Sequence, residues 1–209
     1  MKWTFGIVTN ENKDGFLDKI IDSIEKQIID PKKYETIIIG NYSINRKNTT
    51  VINFDESIKT GWITRKKNII AQKANFENIS IFHDYVSLCD NWYQGFLEFG
   101  ANWDVCINPI TNLDGTRFRD WVTWDPIRQV PYDNHNHIKK MYISGGYFCV
   151  KKNFILNNPL NENYIWGQGE DVEWSMRIRH FWNYKCNPNS TIKLLKQKDH
   201  DNGHKIPLD

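Results

Sequence analysis

Residues 3–41 read WTFGIVTNENKDGFLDKIIDSIEKQIIDPKKYETIIIGN. Trp3 to Thr9 is a short, mostly apolar run, the pattern of a buried strand. Phe16, Leu17, Ile20, Ile21, Ile24 and Ile28 then recur at helical spacing. Pro31 ends that helix, because its ring lacks an N–H and clashes with the preceding turn. Tyr34 to Ile39 is a second apolar strand, closed by Gly40. Strand, helix and buried strand in succession imply a right-handed βαβ crossover and a parallel sheet.

The pattern continues outward. Val51 to Phe54 reads as a third strand, and Thr60 to Ala74 as a helix. In that helix Ile63, Lys67, Ile70 and Ala74 share one face, which leaves Lys66 and Lys73 outside. Ile79 to Phe82 is a strand, Trp92 to Phe99 a helix, and Trp103 to Ile107 a strand. The expected fold is α/β, with a mostly parallel central sheet flanked by helices. Ligands of such sheets bind beyond the carboxyl ends of the strands. Those ends are Thr9-Asn10, Gly40-Asn41 and His83-Asp84, all able to hydrogen-bond.

After Pro109 the alternation stops. Residues 116–137 read TRFRDWVTWDPIRQVPYDNHNH, within an irregular stretch from Thr111 to Lys140. Loops this long are functional or disordered. Disordered segments lack aromatic residues, whereas this one carries Phe118, Trp121, Trp124 and Tyr132, so a substrate-facing loop is expected. Order resumes with a strand from Met141 to Val150, interrupted by Gly145-Gly146. A helix from about Asp171 to Phe181 and a basic, histidine-containing tail follow.

A chain of 209 residues can build one α/β domain with a real core, and not two. A formal net charge of +2 argues against a nucleic-acid partner. Aromatic residues make up 14%, more than a core alone is expected to absorb, so some should line a groove suited to sugars or nucleobases. Cys89, Cys106, Cys149 and Cys186 are isolated, with no C-x-x-C pair. Their apolar surroundings suit buried thiols in a reducing compartment, hence a cytoplasmic location, although pairing between distant cysteines stays open. The opening MKWTFGIVTNE reads as a first strand rather than a signal peptide. No apolar run approaches the roughly 20 residues of a membrane span, so a transmembrane segment is not expected.

Two segments carry chemistry. In WGQGEDVEW, Trp166 to Trp174, three acids sit among two tryptophans and two glycines. Glu170 and Asp171 open a helix, where free N–H groups favour carboxylates. Acids in a first turn can be mere capping, but capping does not explain the Trp-Gly-x-Gly before them. Glu173 and Arg177, four apart, read as a helix ion pair. Gly145-Gly146 inside a strand marks a bulge or a close approach of backbone to a ligand.

Three stretches together resemble the GT-A glycosyltransferases, in particular the family 2 and β-1,4-galactosyltransferase-like group. They are FGIVTN…IIDSIEKQ…YETIIIGN, GWITRKKNIIAQKA…ISIFHDYVSL and ISGGYFCVKKNF…YIWGQGEDVEWSMRIR, in the family's order, over most of residues 3 to 182. The resemblance implies a single domain over 1–209, with a nucleotide-binding half (1–110) and an acceptor-binding, catalytic half (111–209). It implies an inverting transfer of a sugar from a nucleotide diphosphate sugar, UDP-sugar in the first instance, to a hydroxyl of a glycan or other acceptor. Asp171 is then the general base and Glu170 an acceptor ligand. Thr9, Asn10, Asn41, Lys67, Asp84, Gly145 and Gly146 are implied to bind the donor. Trp124, Tyr132 and Trp166 are the expected acceptor contacts. The family's Asp-x-Asp region reads His83-Asp84-Tyr85-Val86, so Asp84 carries over and its acidic partner does not. An Mn²⁺ or Mg²⁺ ion is still expected, held by Asp84, the nucleotide and His200 or His204.

Two other readings compete. One is a GT-A-shaped sugar- or nucleotide-binding domain without catalysis, which Tyr85 and Asn41 favour. The other is a metal hydrolase built on Asp133, His135 and His137, since H-x-H can bind zinc.

Overall fold

A computed structural model of the protein describes residues 1–10, 14–27 and 30–198. β1 (Trp3–Val8) leads through α1 (Leu17–Glu25) to β2 (Tyr34–Ile39), and β3 (Thr49–Ile52) follows. Next come α2 (Ile63–Lys73), β4 (Asn78–His83), β5 (Val86–Leu88), α3 (Trp92–Phe99) and β6 (Val105–Ile107). The irregular region holds the short strands β7 (Ile110–Thr111), β8 (Val122–Thr123), β9 (Arg128–Gln129) and β10 (Met141–Tyr142). β11 (Tyr147–Lys151), α4 (Lys152–Asn157), α5 (Glu170–Ile178), β12 (Tyr184–Cys186) and β13 (Ile192–Leu194) complete the described chain.

The central sheet has seven strands in the order β12-β6-β11-β4-β1-β2-β3. β1 pairs in parallel with β2 and β4, and β2 with β3. Only β11 runs against its neighbours, β4 and β6. The α/β fold with a mostly parallel sheet is therefore the one observed. Gly6 lies where α2 crosses β1: a Cβ there would meet Ile70 Cγ2 at 2.3 Å, so helix and sheet approach more closely than any side chain allows.

Several boundaries differ from expectation: β3 is Thr49–Ile52 rather than Val51–Phe54, β6 starts at Val105 rather than Trp103, and α5 ends at Ile178 rather than Phe181. The segment Met141–Val150 is two strands in two sheets, β10 in the small sheet β10-β8-β9 and β11 in the central one, with Gly145-Gly146 as the turn between them. α2 starts at Ile63 rather than Thr60. α1 ends at Glu25, and Ile28 lies outside the described residues. Lys66, expected outside, is 2% exposed.

Most of the tryptophans belong to the core. Trp3 packs edge-on against Trp92 and Phe96, both at 4.7 Å between ring centroids, and stacks on Trp103 at 5.9 Å. Trp121, Trp174 and Trp182 are also buried, which leaves Trp124 and Trp166 as the large exposed indoles. The aromatic surplus is thus mainly a packing feature. The four cysteines are free thiols. Among the described residues no helix is long and apolar enough to cross a membrane.

Candidate active site

The carboxyl ends of β1 and β4 open into a cleft of about 270 Å³, lined in part by Thr9, Asn10, Lys66, Asp84, Tyr85 and Trp166. Thr9 Oγ1 donates to Asp84 Oδ2 at 2.7 Å, which ties the two strand ends together. Lys66 reaches under the cleft from α2. Its Nζ donates to Thr9 O and to Asn10 Oδ1, both at 2.7 Å, and pairs with Glu56. The Asn10 side-chain oxygen is thereby engaged. Asn41 is exposed and lines neither this cleft nor the larger one beside it.

A second cleft, of about 660 Å³, adjoins the first and shares His83, Tyr85, Trp166 and Lys198 with it. Its floor is the Gly145-Gly146 turn and the start of α5. Asp171 is held there by two backbone donors: Gly145 N at 2.9 Å to Oδ2 and Val172 N at 2.9 Å to Oδ1. The turn needs glycine because of proximity. A Cβ on Gly145 would lie 2.8 Å from Asp171 Oδ2, and one on Gly146 would lie 2.8 Å from the Tyr85 hydroxyl. Gly169, the residue that caps α5, has φ 72°, and Gly167 has φ 82°, conformations that L side chains rarely adopt.

Lys67 supports this floor from behind. Fully buried and lining neither cleft, it donates to Gly145 O at 2.8 Å and faces Glu170 Oε1 at 3.6 Å. Burial lowers the Lys67 pKa, and Glu170 and Asp171 oppose that shift. Burial raises the Glu170 pKa, and Lys67 opposes that one. The pair ties turn and helix together; Lys67, expected to meet the donor, sits behind the floor, whereas Glu170 also lines the larger cleft. Arg177 and Glu173 do pair along α5, at 2.8 Å.

The region 111–140 is more ordered than a loop. β8 and β9 form a hairpin whose turn, residues 124–127, carries Trp124 and Ile127 into the larger cleft. Trp124, 41% exposed, meets Tyr142 edge-on at 5.7 Å. Trp166, 65% exposed, stands between the two clefts, with its backbone N–H donating to Gly61 O at 2.9 Å. Tyr132 lines neither cleft: its hydroxyl donates to buried Asp120 at 2.8 Å and its ring lies under the Arg117 guanidinium at 4.1 Å. Trp121 is a core residue that braces the hairpin against Tyr184 at 4.9 Å. His135 packs edge-on to Trp121, and among the described residues no metal-holding group forms around Asp133, His135 and His137.

Reading residue types along the chain gave no site role to Lys66, His83, Lys196 or Lys198, all of which line a cleft. His83 lines both clefts, and its Nε2 has no partner among the described residues. Burial, then Lys67, Lys198, Lys196 and Lys66, push its pKa well down, so the ring is neutral. Lys196 and Lys198 enter because β13 pairs with β5 and Leu195 N donates to Tyr85 O at 2.8 Å. Their ammonium groups lie 4.8 and 4.4 Å from the centre of the Tyr85 ring.

The described residues do not fit a divalent-ion cage. Nowhere among them do three His, Cys, Asp or Glu side chains come together to hold a metal. One Asp84 oxygen already accepts from Thr9, and the buried Tyr85 phenol, its pKa raised, stays a neutral and weak ligand. His200 and His204 lie outside the described residues.

No protein-family model and no curated protein matches the sequence. Solved structures do match in shape. GalNAc-T7 with UDP, GalNAc and Mn²⁺ superposes with a TM-score of 0.71 at 17% identity, over 95% of this chain and 44% of that one. S. aureus TarS 1–349 in complex with UDP-GlcNAc gives a TM-score of 0.65 at 13% identity, over 99% of this chain and 62% of that one. The same fragment with UDP gives 0.66 at 13% identity, over 93% and 61%. The chain thus spans about half the length of these structures, and at such identities the likeness is one of fold. That fold is GT-A, the architecture of glycosyltransferases.

Proposed function

We propose that this protein is an inverting glycosyltransferase that moves a sugar from a nucleotide diphosphate sugar, UDP-sugar in the first instance, to a hydroxyl of a glycan or similar acceptor. The observation that carries this reading is the Asp171 carboxylate, fixed by Gly145 N and Val172 N on the floor of the larger cleft. That cleft continues into the smaller one at the strand ends, where nucleotides bind in open α/β sheets. The UDP-bearing complexes of GalNAc-T7 and TarS support the same choice of donor.

In this reading the base lies over Thr9 and Asn10, and Asp84 accepts a ribose hydroxyl with the oxygen that Thr9 leaves open. The sugar extends past Gly145-Gly146, and the acceptor enters between Trp124 and Trp166. Asp171 takes the acceptor's hydroxyl proton as that oxygen bonds to the anomeric carbon. The bond from that carbon to the diphosphate oxygen breaks, and its electron pair leaves with UDP. Attack from the face opposite the leaving group inverts the centre. The transition state has oxocarbenium character, so a fixed carboxylate beside it also stabilises developing positive charge.

The test is release of UDP from UDP-sugars with a panel of glycan acceptors, in wild type and Asp171→Asn. General base catalysis is worth about 10²–10⁴ in rate. The Asn variant should lose that much kcat while UDP affinity stays the same. Full turnover by the variant rules out Asp171 as the base; UDP binding without turnover in wild type, on any acceptor, supports a non-catalytic binding domain.

A further inference from the structure

We propose that Lys196 and Lys198 form a diphosphate-binding pair that supplies counter-charge to the nucleotide sugar, so that donor binding does not depend on a divalent ion. The inference rests on the glycosyltransferase reading and says how that site meets its leaving group. A nucleoside diphosphate brings two or more negative charges into a cleft whose nearest carboxylate, Asp84, repels it. Something cationic must offset both.

Both lysines line the smaller cleft, and Lys198 also lines the larger one, at the junction where a diphosphate would lie. Lys198 pairs with no carboxylate among the described residues; its N–H instead anchors the chain by donating to Asn112 Oδ1 at 3.0 Å. Burial, then the neighbouring Lys196 charge, disfavour the Lys198 ammonium and lower its pKa, against the opposing pull of Asp84 and Asp14. Two like charges on one tyrosine ring, the inner one half-buried and without a carboxylate partner among the described residues, form an arrangement that an anion would relieve. Among the described residues Lys196 pairs with the exposed Asp14, at 2.8 Å, which a phosphate can outcompete. The platform is fixed as well, since β13 is paired to β5 and continues directly into both residues. Tyr85 stands where a second acid was expected, and its ring carries the cations in place of ligating a metal.

The experiment is calorimetric titration of UDP and of uridine into the full chain in EDTA, with Lys196→Gln, Lys198→Gln, the double variant and the double Lys→Arg variant. We expect wild type to bind UDP in EDTA more tightly than uridine, and rising salt to weaken UDP alone. The double Gln variant should lose at least about tenfold in UDP affinity, or about 1.4 kcal/mol, leave uridine unchanged and recover with Arg. Thermal melting adds an independent readout. Lys198→Gln removes like-charge repulsion and should melt at or above the wild-type temperature, as expected of a site that trades stability for binding. UDP affinity that is equal in wild type and the double Gln variant overturns the lysine assignment. UDP that binds wild type no better than uridine until Mn²⁺ is added overturns it too. If wild type binds neither UDP nor uridine with or without Mn²⁺, the nucleotide-sugar reading itself fails, and this inference with it.

Discussion

The buried ammonium of Lys67 is the residue on which the site's geometry depends most. It bonds Gly145 O and faces Glu170 at 3.6 Å, so one side chain ties the turn that binds Asp171 to the helix that carries it. Breaking a buried ion pair leaves a charge without a partner and costs about 3–5 kcal/mol. Glu170→Gln should therefore lower stability by that order, measured by denaturant unfolding. The pH dependence has a definite sign. The folded state holds the Lys67 proton less tightly than the unfolded chain, and Glu170 is the foremost influence raising its pKa. Without Glu170 that pKa falls further. A depressed pKa contributes stability at high pH that is lost as pH falls through its folded value. The gap in stability between Glu170→Gln and wild type should consequently narrow from pH 7 towards pH 10. Gly145→Ala tests the same unit from its other side. Its methyl group would intrude on the Asp171 carboxylate at 2.8 Å. A displacement of about 1 Å can reduce a rate by 10²-fold. We expect a kcat loss of that size, with UDP affinity and far-UV circular dichroism unchanged.

At the scale of elements, Gly6 makes a similar prediction for stability. The contact of a Cβ there with Ile70 at 2.3 Å means that Gly6→Ala must push α2 off β1. Overpacking of this kind costs about 1–3 kcal/mol, readable as a lower midpoint in urea. The hairpin β8–β9 and the segment holding Trp166 predict binding effects. Trp166 is exposed, so Trp166→Ala should leave the melting temperature nearly unchanged and raise acceptor KM. These elements were legible to different degrees. α3 was read at its observed bounds, because a helix from Trp92 shows its period over two turns. β5, β7, β8, β9, β12 and β13 are not legible, because two or three residues are too few to display an alternation; β6, equally short, shows only within the longer run Trp103–Ile107. Lys66 was assigned to the wrong side of α2 for a chemical reason. With Ile63 and Ile70 it shares a face as readily as Lys67 does, but a lysine is expected in solvent. Only its three acceptors, from Thr9, Asn10 and Glu56, explain its burial. Of the site, Asp171, Glu170, Asp84 and the two glycine pairs were visible as local motifs. The Lys196–Tyr85–Lys198 cluster was not, since it joins residues about a hundred positions apart through β13.

Across the whole molecule, the division of the chain near residue 110 follows the order of the sequence more closely than the structure. β11, from the second half, is inserted between β4 and β6 of the first. Trp166, Lys196 and Lys198, also from the second half, wall the cleft at the ends of β1 and β4. A fragment of residues 1–110 would expose both β4 and β6 edges, and it should not unfold cooperatively in a calorimeter. The intact chain should respond to nucleotide as one body. At about 100-fold excess over Kd, UDP should add roughly 2.7 kcal/mol of stability, seen as a rise in melting temperature.

Burial of Lys66 and Lys67 has a consequence for amine chemistry. Burial favours the neutral, nucleophilic form of Lys67, yet its side chain has no exposed surface. Intrinsic reactivity and access are therefore opposed at one atom. In the native protein an amine-selective acylating reagent should modify Lys196 and Lys198 quickly and reach Lys67 only when turn, helix and strand come apart together. Peptide mapping over time would then make Lys67 a clock for global opening of the molecule, and the two cleft lysines, shielded or not by added UDP, a gauge of the site's occupancy.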